Sequence, residues 1–267
     1  MKIAVCGKGG SGKSTVIALL SQQLRQRGRR VLVVDSDESN SGLHWMLGFE
    51  QPPRPLLELV GGKKHVQRAM RTQFTTGDDE PEISVLARSE LGISDLPPGY
   101  VAERNGLGLV TVGKIHQALE GCACPMGVLS REFLKKLRLA DNEIALVDME
   151  AGIEHFGRGV ETSIDAIVVV VEPSLEALVL GEKVRQLASG AGAGFAGAIL
   201  NKISADELVS VLTAELDRRQ IPVLATIRQH DEIVTAGLAG RPPDSAEAER
   251  EAAVAANALL GRDASDS

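Results

Sequence analysis

Apolar residues fall along this chain in short, mostly continuous runs, each stopped by a polar or glycine-bearing stretch: Ile3 to Cys6, Val31 to Val34, Ile83 to Ala87, Leu107 to Val112, Glu143 to Val147 and Asp165 to Val171 (each led by an acid), Gly197 to Leu200 and Pro222 to Ile227. Runs that are apolar at consecutive rather than alternate positions predict strands buried on both faces, as in a parallel sheet. Between them the spacing changes to that of helices, over Val16 to Leu24, Val128 to Leu139 and Ser245 to Leu260, with a further start after Pro173-Ser174. A short helix is expected at Ser41 to Leu47, with Trp45 packed into it. The proline-rich stretch Gln51 to Pro55 ends that element, and Leu56 to Met70 has mixed helical periodicity. Leu96-Pro97-Pro98-Gly99 reads as a turn. Gly261 to Ser267 reads as a frayed tail. Alternating strands and helices predict an α/β chain with a mostly parallel sheet flanked by helices. No second domain is expected within 1–267; residues before Leu107 read as an elaborated crossover.

The first strand runs straight into Gly7-Lys8-Gly9-Gly10-Ser11-Gly12-Lys13-Ser14-Thr15, and a helical pattern follows. The spacing Gly7-x-x-x-x-Gly12-Lys13-Ser14 fits a phosphate-binding loop, whose glycines let backbone N–H groups turn inward to cradle phosphates. The helix adds the positive end of its dipole. Lys13 can reach the β- and γ-phosphates of ATP, and the Ser14 hydroxyl can join a Mg²⁺ shell. A glycine-rich turn that binds nothing is the alternative, and the flanking strand and helix argue against it. Acidic residues arrive where two other strands end: Asp35 and Asp37 after Val31 to Val34, and Asp148 after Glu143 to Val147. Ligands of open α/β sheets bind at that edge. Asp148 stands where a carboxylate that meets Mg²⁺ through water belongs, and Gly152 would let backbone approach the γ-phosphate. The Asp35–Asn40 cluster could otherwise cap the next helix.

Composition narrows the partners. The 267 residues are 43% hydrophobic, enough for a buried core, and carry 36 acidic against 29 basic side chains, a net charge of −7. That balance argues against a nucleic-acid surface, and 3% aromatic content argues against stacking platforms for single strands. No apolar run approaches the ~20 residues of a membrane span, and the chain enters a strand without a leader, so a cytoplasmic protein is expected. Three cysteines suit that compartment as thiols or metal ligands. Cys6 reads as core. Cys122 and Cys124, in Gly121-Cys122-Ala123-Cys124-Pro125, place two thiols in a non-regular loop where they can converge. A closed thiolate site for zinc or a similar soft ion wants four ligands. One chain supplies two here, and a two-fold dimer would supply four. Inconsequential cysteines and a redox disulfide remain open on the pair alone.

Lys8 exceeds what the general loop needs, and with it the sequence resembles the deviant P-loop ATPases, the class of MinD, ParA and the nitrogenase iron protein. The resemblance spans roughly Met1 to Ile227 and implies a three-layer P-loop NTPase fold, a homodimer formed on ATP binding, and Lys8 reaching the partner's nucleotide. It implies that Asp35 lies near Mg²⁺ and that Asp37 positions the attacking water. Glu38 and Ser39 depart from the proline and asparagine common next in that family, and Asn40 is a further candidate contact. By the same resemblance Asn201 hydrogen-bonds the adenine edge, with Arg228 and Gln229 beside the base. The Gly-Cys-x-Cys-Pro loop and the run Glu150 to Gly159 resemble the CooC-type nickel-insertion ATPases that serve carbon monoxide dehydrogenase. This implies Cys122 and Cys124 as ligands of nickel or zinc at the dimer interface, and a client metalloenzyme. Glu150, Glu154 and His155 are candidate relay or transient ligands. An iron–sulfur carrier or reductase is the alternative, but the nitrogenase type spaces its cysteines far apart and carriers place two residues between theirs. A MinD- or ParA-like switch without metal is the third reading. The acidic, alanine-rich tail lacks the basic membrane helix of MinD types, and the net charge lacks the DNA-facing surface of ParA types.

Overall fold

The computed structural model describes residues 1–37, 42–76, 86–114, 124–149, 163–191 and 193–263. Within them lies one sheet of strands β1 (Lys2–Gly7), β2 (Arg30–Asp35), β3 (Ala102–Arg104), β4 (Leu107–Thr111), β5 (Glu143–Asp148), β6 (Ala166–Val171), β7 (Gly194–Ile203) and β8 (Val223–Arg228). Their spatial order is β3-β4-β2-β5-β1-β6-β7-β8. Only β3 runs antiparallel to its neighbour. From β1 the chain goes to one side for β2 and β4, returns through β5, and continues on the other side through β6, β7 and β8. The loop after β1 therefore opens at the point where the winding reverses, the place in an open parallel sheet where ligands bind.

The helices are α1 (Lys13–Gln26), α2 (Leu43–Met46), α3 (Leu56–Leu59), α4 (Lys63–Thr76), α5 (Cys124–Lys136), α6 (Leu175–Ala191), α7 (Asp206–Arg218), α8 (Asp231–Leu238) and α9 (Ala246–Asp263). Consecutive apolar residues along each central strand point alternately to the two faces, so both faces must be covered. On one side Val16 and Leu20 of α1 and Ala252, Ala256 and Leu259 of α9 cover Ile3, Val5, Val33 and Leu146. On the other, Leu129, Phe133 and Leu134 of α5 cover Ala4, Leu32, Val34 and Val147. A third cluster packs α6 and α7 on β6 to β8, through Leu178, Leu212 and Leu216 on Val169, Val171 and Leu200. The result is the three-layer α/β architecture with a mostly parallel sheet expected from the sequence.

Several local expectations need correction. The mixed helical periodicity over Leu56 to Met70 resolves into α3 and the start of α4, parted by Gly61 and Gly62, both at positive φ (83° and 85°), where a helix cannot continue. Trp45 is 46% exposed, tilted against His44 at 4.4 Å between ring centroids, rather than packed away. The expected strand at Ile83 to Ala87 lies for its first three residues outside the described ones. Leu86 is instead tied to α5: its N–H donates to Glu132 (3.0 Å) and its carbonyl accepts from Lys136 (2.8 Å). The α9 helix extends through Asp263, past the expected start of fraying. The β3–β4 hairpin, α7 and α8 were not expected. The hairpin turns on Asn105 and Gly106, both at positive φ (48° and 76°), the geometry of a tight two-residue turn. Among the described residues no helix is long and apolar enough to cross a membrane.

Candidate functional site

The phosphate loop links β1 to α1. Gly7 (φ 154°) has no room for a side chain, since a Cβ there would lie 2.7 Å from the Val170 carbonyl oxygen. Gly12 is the N-cap of α1 at φ 91°, and no side chain caps the helix. The first-turn N–H groups are thus left pointing at the loop's hollow, where an anion satisfies them. Gly9 and Gly10 form the exposed crest, Ser11 is buried beneath it, and its Oγ is a buried atom without a hydrogen-bond partner. Ser14 and Thr15 are half-buried in the first turn of the helix. Lys13 is buried, and its Nζ turns back to the Lys8 carbonyl at 3.5 Å.

The end of β7 braces this loop. Asn201 is buried and its Nδ2 donates to the Ser11 carbonyl at 2.8 Å. Lys202, held at φ 60°, donates from Nζ to the Gly10 carbonyl at 2.6 Å. A left-handed backbone at a lysine is uncommon and concentrates at functional sites. Asn201 thus braces the phosphate loop, with its amide nitrogen committed to the Ser11 carbonyl. Arg228 sits at the register partner of Ile203 on β8. Its N–H donates to Glu251 (3.0 Å), and its guanidinium pairs with Asp206.

The acidic half of the site is set by the sheet ladder. Asp35 and Asp148 are register partners at the ends of β2 and β5. Asp148 is fully buried, and Ser14 Oγ donates to its Oδ2 at 2.8 Å, while its Oδ1 is buried with no hydrogen-bond partner. Burial pushes the Asp148 carboxyl up to about 7, partly opposed by the Ser14 hydrogen bond. Asp35 is pushed up to about 6 by burial, against the opposing charge of Lys114. Asp37 is buried beside them. A serine hydroxyl and a carboxylate with an unsatisfied oxygen form the hard oxygen donor set that Mg²⁺ takes, in part through water. Mg²⁺ held by Ser14 and Asp148 would offset the charge of the β- and γ-phosphate oxygens.

Lys8, expected to reach across a dimer, pairs here with its own chain, with Glu176 at the start of α6 and with Glu172 at 3.5 Å. Cys6 is buried in β1 as expected, and burial pushes its thiol up to about 12. Cys122, Gly152, Asn40, Glu38, Ser39, Glu150, Glu154 and His155 lie outside the described residues. Cys124 begins α5. Two lysines at the site were not singled out from the sequence, Lys114 and Lys202. Each directly follows an expected strand or its end residue, and that position at the ligand-binding edge was the signal available.

Uncapped helix donors, a lysine folded over them and a serine–aspartate pair beside them suit a nucleoside triphosphate with its divalent cation, and on this scaffold they define a P-loop ATPase. The chain belongs to the CobQ/CobB/MinD/ParA nucleotide binding domain family, whose model matches residues 2–243. It is 41% identical over 240 residues to an uncharacterized ATP-binding protein of Methanocaldococcus jannaschii, covering 90% of this chain and 92% of that one. It is 31% identical over 244 residues to the carbon monoxide dehydrogenase accessory protein CooC of Rhodospirillum rubrum, covering 90% and 88%. In fold it is similar to the septum site-determining protein MinD of Pyrococcus horikoshii, determined with Mg-ADP, at a TM-score of 0.67 and 21% identity, covering 98% and 99%.

Proposed function

We propose that this ATPase is a dimeric metallochaperone, which binds nickel through Cys122 and Cys124 of each subunit and delivers it to a client metalloenzyme of the carbon monoxide dehydrogenase type. The observation that carries the reading is the Cys122-Ala123-Cys124 pair in a chain similar over nine-tenths of its length to CooC. Cys124 opens α5, and the same helix covers β2 and β5, whose ends carry Asp35 and Asp148. The chain has three cysteines, of which Cys6 is buried in β1, so a four-thiolate site would take its ligands from two chains. In the cycle, Gly9 to Thr15 hold the phosphates, Asp37 aligns the attacking water, and Lys13 with the partner's copy of the early loop lysine offsets the transferring phosphoryl charge. Asn201, Arg228 and Gly152 complete the nucleotide contacts.

An anaerobic metal titration with absorption spectroscopy tests this on the wild type and a Cys122→Ser/Cys124→Ser variant. About one nickel or zinc per dimer, lost in the variant, is expected for a closed four-thiolate site. An iron–sulfur spectrum with about four irons per dimer would replace the reading with a cluster carrier. No tight binding of either would leave a switch ATPase without metal.

A further inference from the structure

The end of β4 places a lysine inside the acidic half of the nucleotide site. Lys114 Nζ lies 2.8 Å from Asp35 Oδ1 and 2.7 Å from Oδ2, and it also donates to the main-chain carbonyl of Asp37. Its side chain is 13% exposed. One ammonium with three donors is therefore spent on both oxygens of one aspartate and on the backbone of the residue two positions on. The rest of this short stretch is also pinned. The Asp35 carbonyl accepts from Val112 N–H (3.0 Å), the Ser36 N–H donates to the Asp148 carbonyl (3.0 Å), and the Ser36 and Ser130 hydroxyls are 2.8 Å apart.

We propose that Lys114 is a positioning residue for ATP hydrolysis: it clamps the Asp35–Asp37 backbone so that Asp37 stays aimed at the attacking water, and it moderates the charge that the divalent cation meets. Three carboxylates, Asp35, Asp37 and Asp148, converge here on a water-poor site. Like charges so close repel, and the repulsion is strongest where dielectric screening is weakest. A fixed cation on Asp35 relieves it without occupying Asp148, whose Oδ1 is left for the cation's shell. The grip on the Asp37 carbonyl works on geometry. A hydrolytic water loses rate steeply when its orienting group shifts by about 1 Å. This inference rests on the reading of Asp37 as the water-aligning residue.

The test uses the full-length chain with Lys114→Met, which keeps the length of the stem and removes the charge, and with Lys114→Arg, which keeps the charge. Asp37→Asn is the reference. In Lys114→Met, kcat for ATP should fall roughly 10- to 100-fold, while the Kd for a fluorescent ATP analogue changes less than about threefold; the unfolding midpoint of the apo-protein falls because Asp35 loses its buried partner, with the chain still folded at the assay temperature. Half-saturation by Mg²⁺, read from nucleotide binding at equilibrium, should shift to lower concentration because one cation has left the site. Lys114→Arg should recover a large part of kcat. A kcat within about twofold of wild type, or an unchanged Mg²⁺ dependence, in Lys114→Met would overturn the inference while leaving Asp37 in place. A fall of kcat matched by an equal fall of nucleotide affinity, not recovered in Lys114→Arg, would reduce Lys114 to a structural ion pair. Retained turnover in Asp37→Asn would sink the reading beneath it, and the inference with it.

Discussion

Asp148→Asn should stabilise the nucleotide-free protein at alkaline pH while destroying its site. Asp148 is fully buried at the end of β5, and burial raises its carboxyl from 3.8 to about 7. Between those values the folded chain holds a proton that the unfolded chain has released, so folding stability falls as pH rises through that window. The whole penalty is present above about pH 7 and absent below about pH 4. A rise of about three pH units at about 1.4 kcal/mol each sets it near 4 kcal/mol. Asparagine keeps the size and still accepts from Ser14, but its new N–H group replaces the unpartnered Oδ1 and returns about 1 kcal/mol. In urea unfolding with EDTA and no nucleotide, the variant should therefore exceed wild type by roughly 2–3 kcal/mol at pH 8 and lose that advantage at pH 5. Losing the Asp148 charge also relieves the neighbouring Asp35 carboxylate, which adds to the difference in the same direction. The same stability difference at both pH values would refute the argument.

Gly12→Ala should abolish tight ATP binding, because its Cβ would lie 2.3 Å from Asn201 Nδ2 and its φ of 91° is hard for any side chain; isothermal titration on a folded variant checks this. Cys6, with its thiol pushed up to about 12 by burial, should be inert to a thiol reagent at pH 8 in the Cys122→Ser/Cys124→Ser variant. It should react fully once urea has unfolded the chain, and rapid labelling of the native protein would contradict the burial of β1.

The sheet and the phosphate loop were legible because each depends on local pattern. Continuous apolar runs such as Ala166–Val171 can only be buried on both faces, and the glycines of the loop sit next to one another in the chain. Asp35 and Asp148 were found because strand ends mark the ligand edge. What escaped is what the topology alone brings together. Lys114 follows β4, yet its partners belong to the end of β2, and only strand pairing makes them neighbours. Lys202 reaches Gly10 across the chain from β7. The β3–β4 hairpin hid because β3 is short and exposed at two of its three positions, so it shows no apolar run. Helix α7 was legible but missed: Leu208, Val209, Leu212 and Leu216 recur at helical spacing and pack on β6 to β8. For Lys8 the resemblance implied a reach across a dimer, and in the single chain it pairs with Glu172 and Glu176 of its own.

The place of β5 has a consequence for how the molecule is made. β1 and β2 are not neighbours; β5 lies between them, hydrogen-bonded to both. On a ribosome, the glycine loop and the first acidic strand emerge early, but the strand that joins them and carries Asp148 comes about a hundred residues later. At roughly 5–20 residues per second this is a wait of several seconds or more. During it β1 and β2 present unpaired edges to each other with a gap one strand wide. The Ser14–Asp148 pair can form only once that gap is filled, so the cation side of the site depends on β5 being inserted in register.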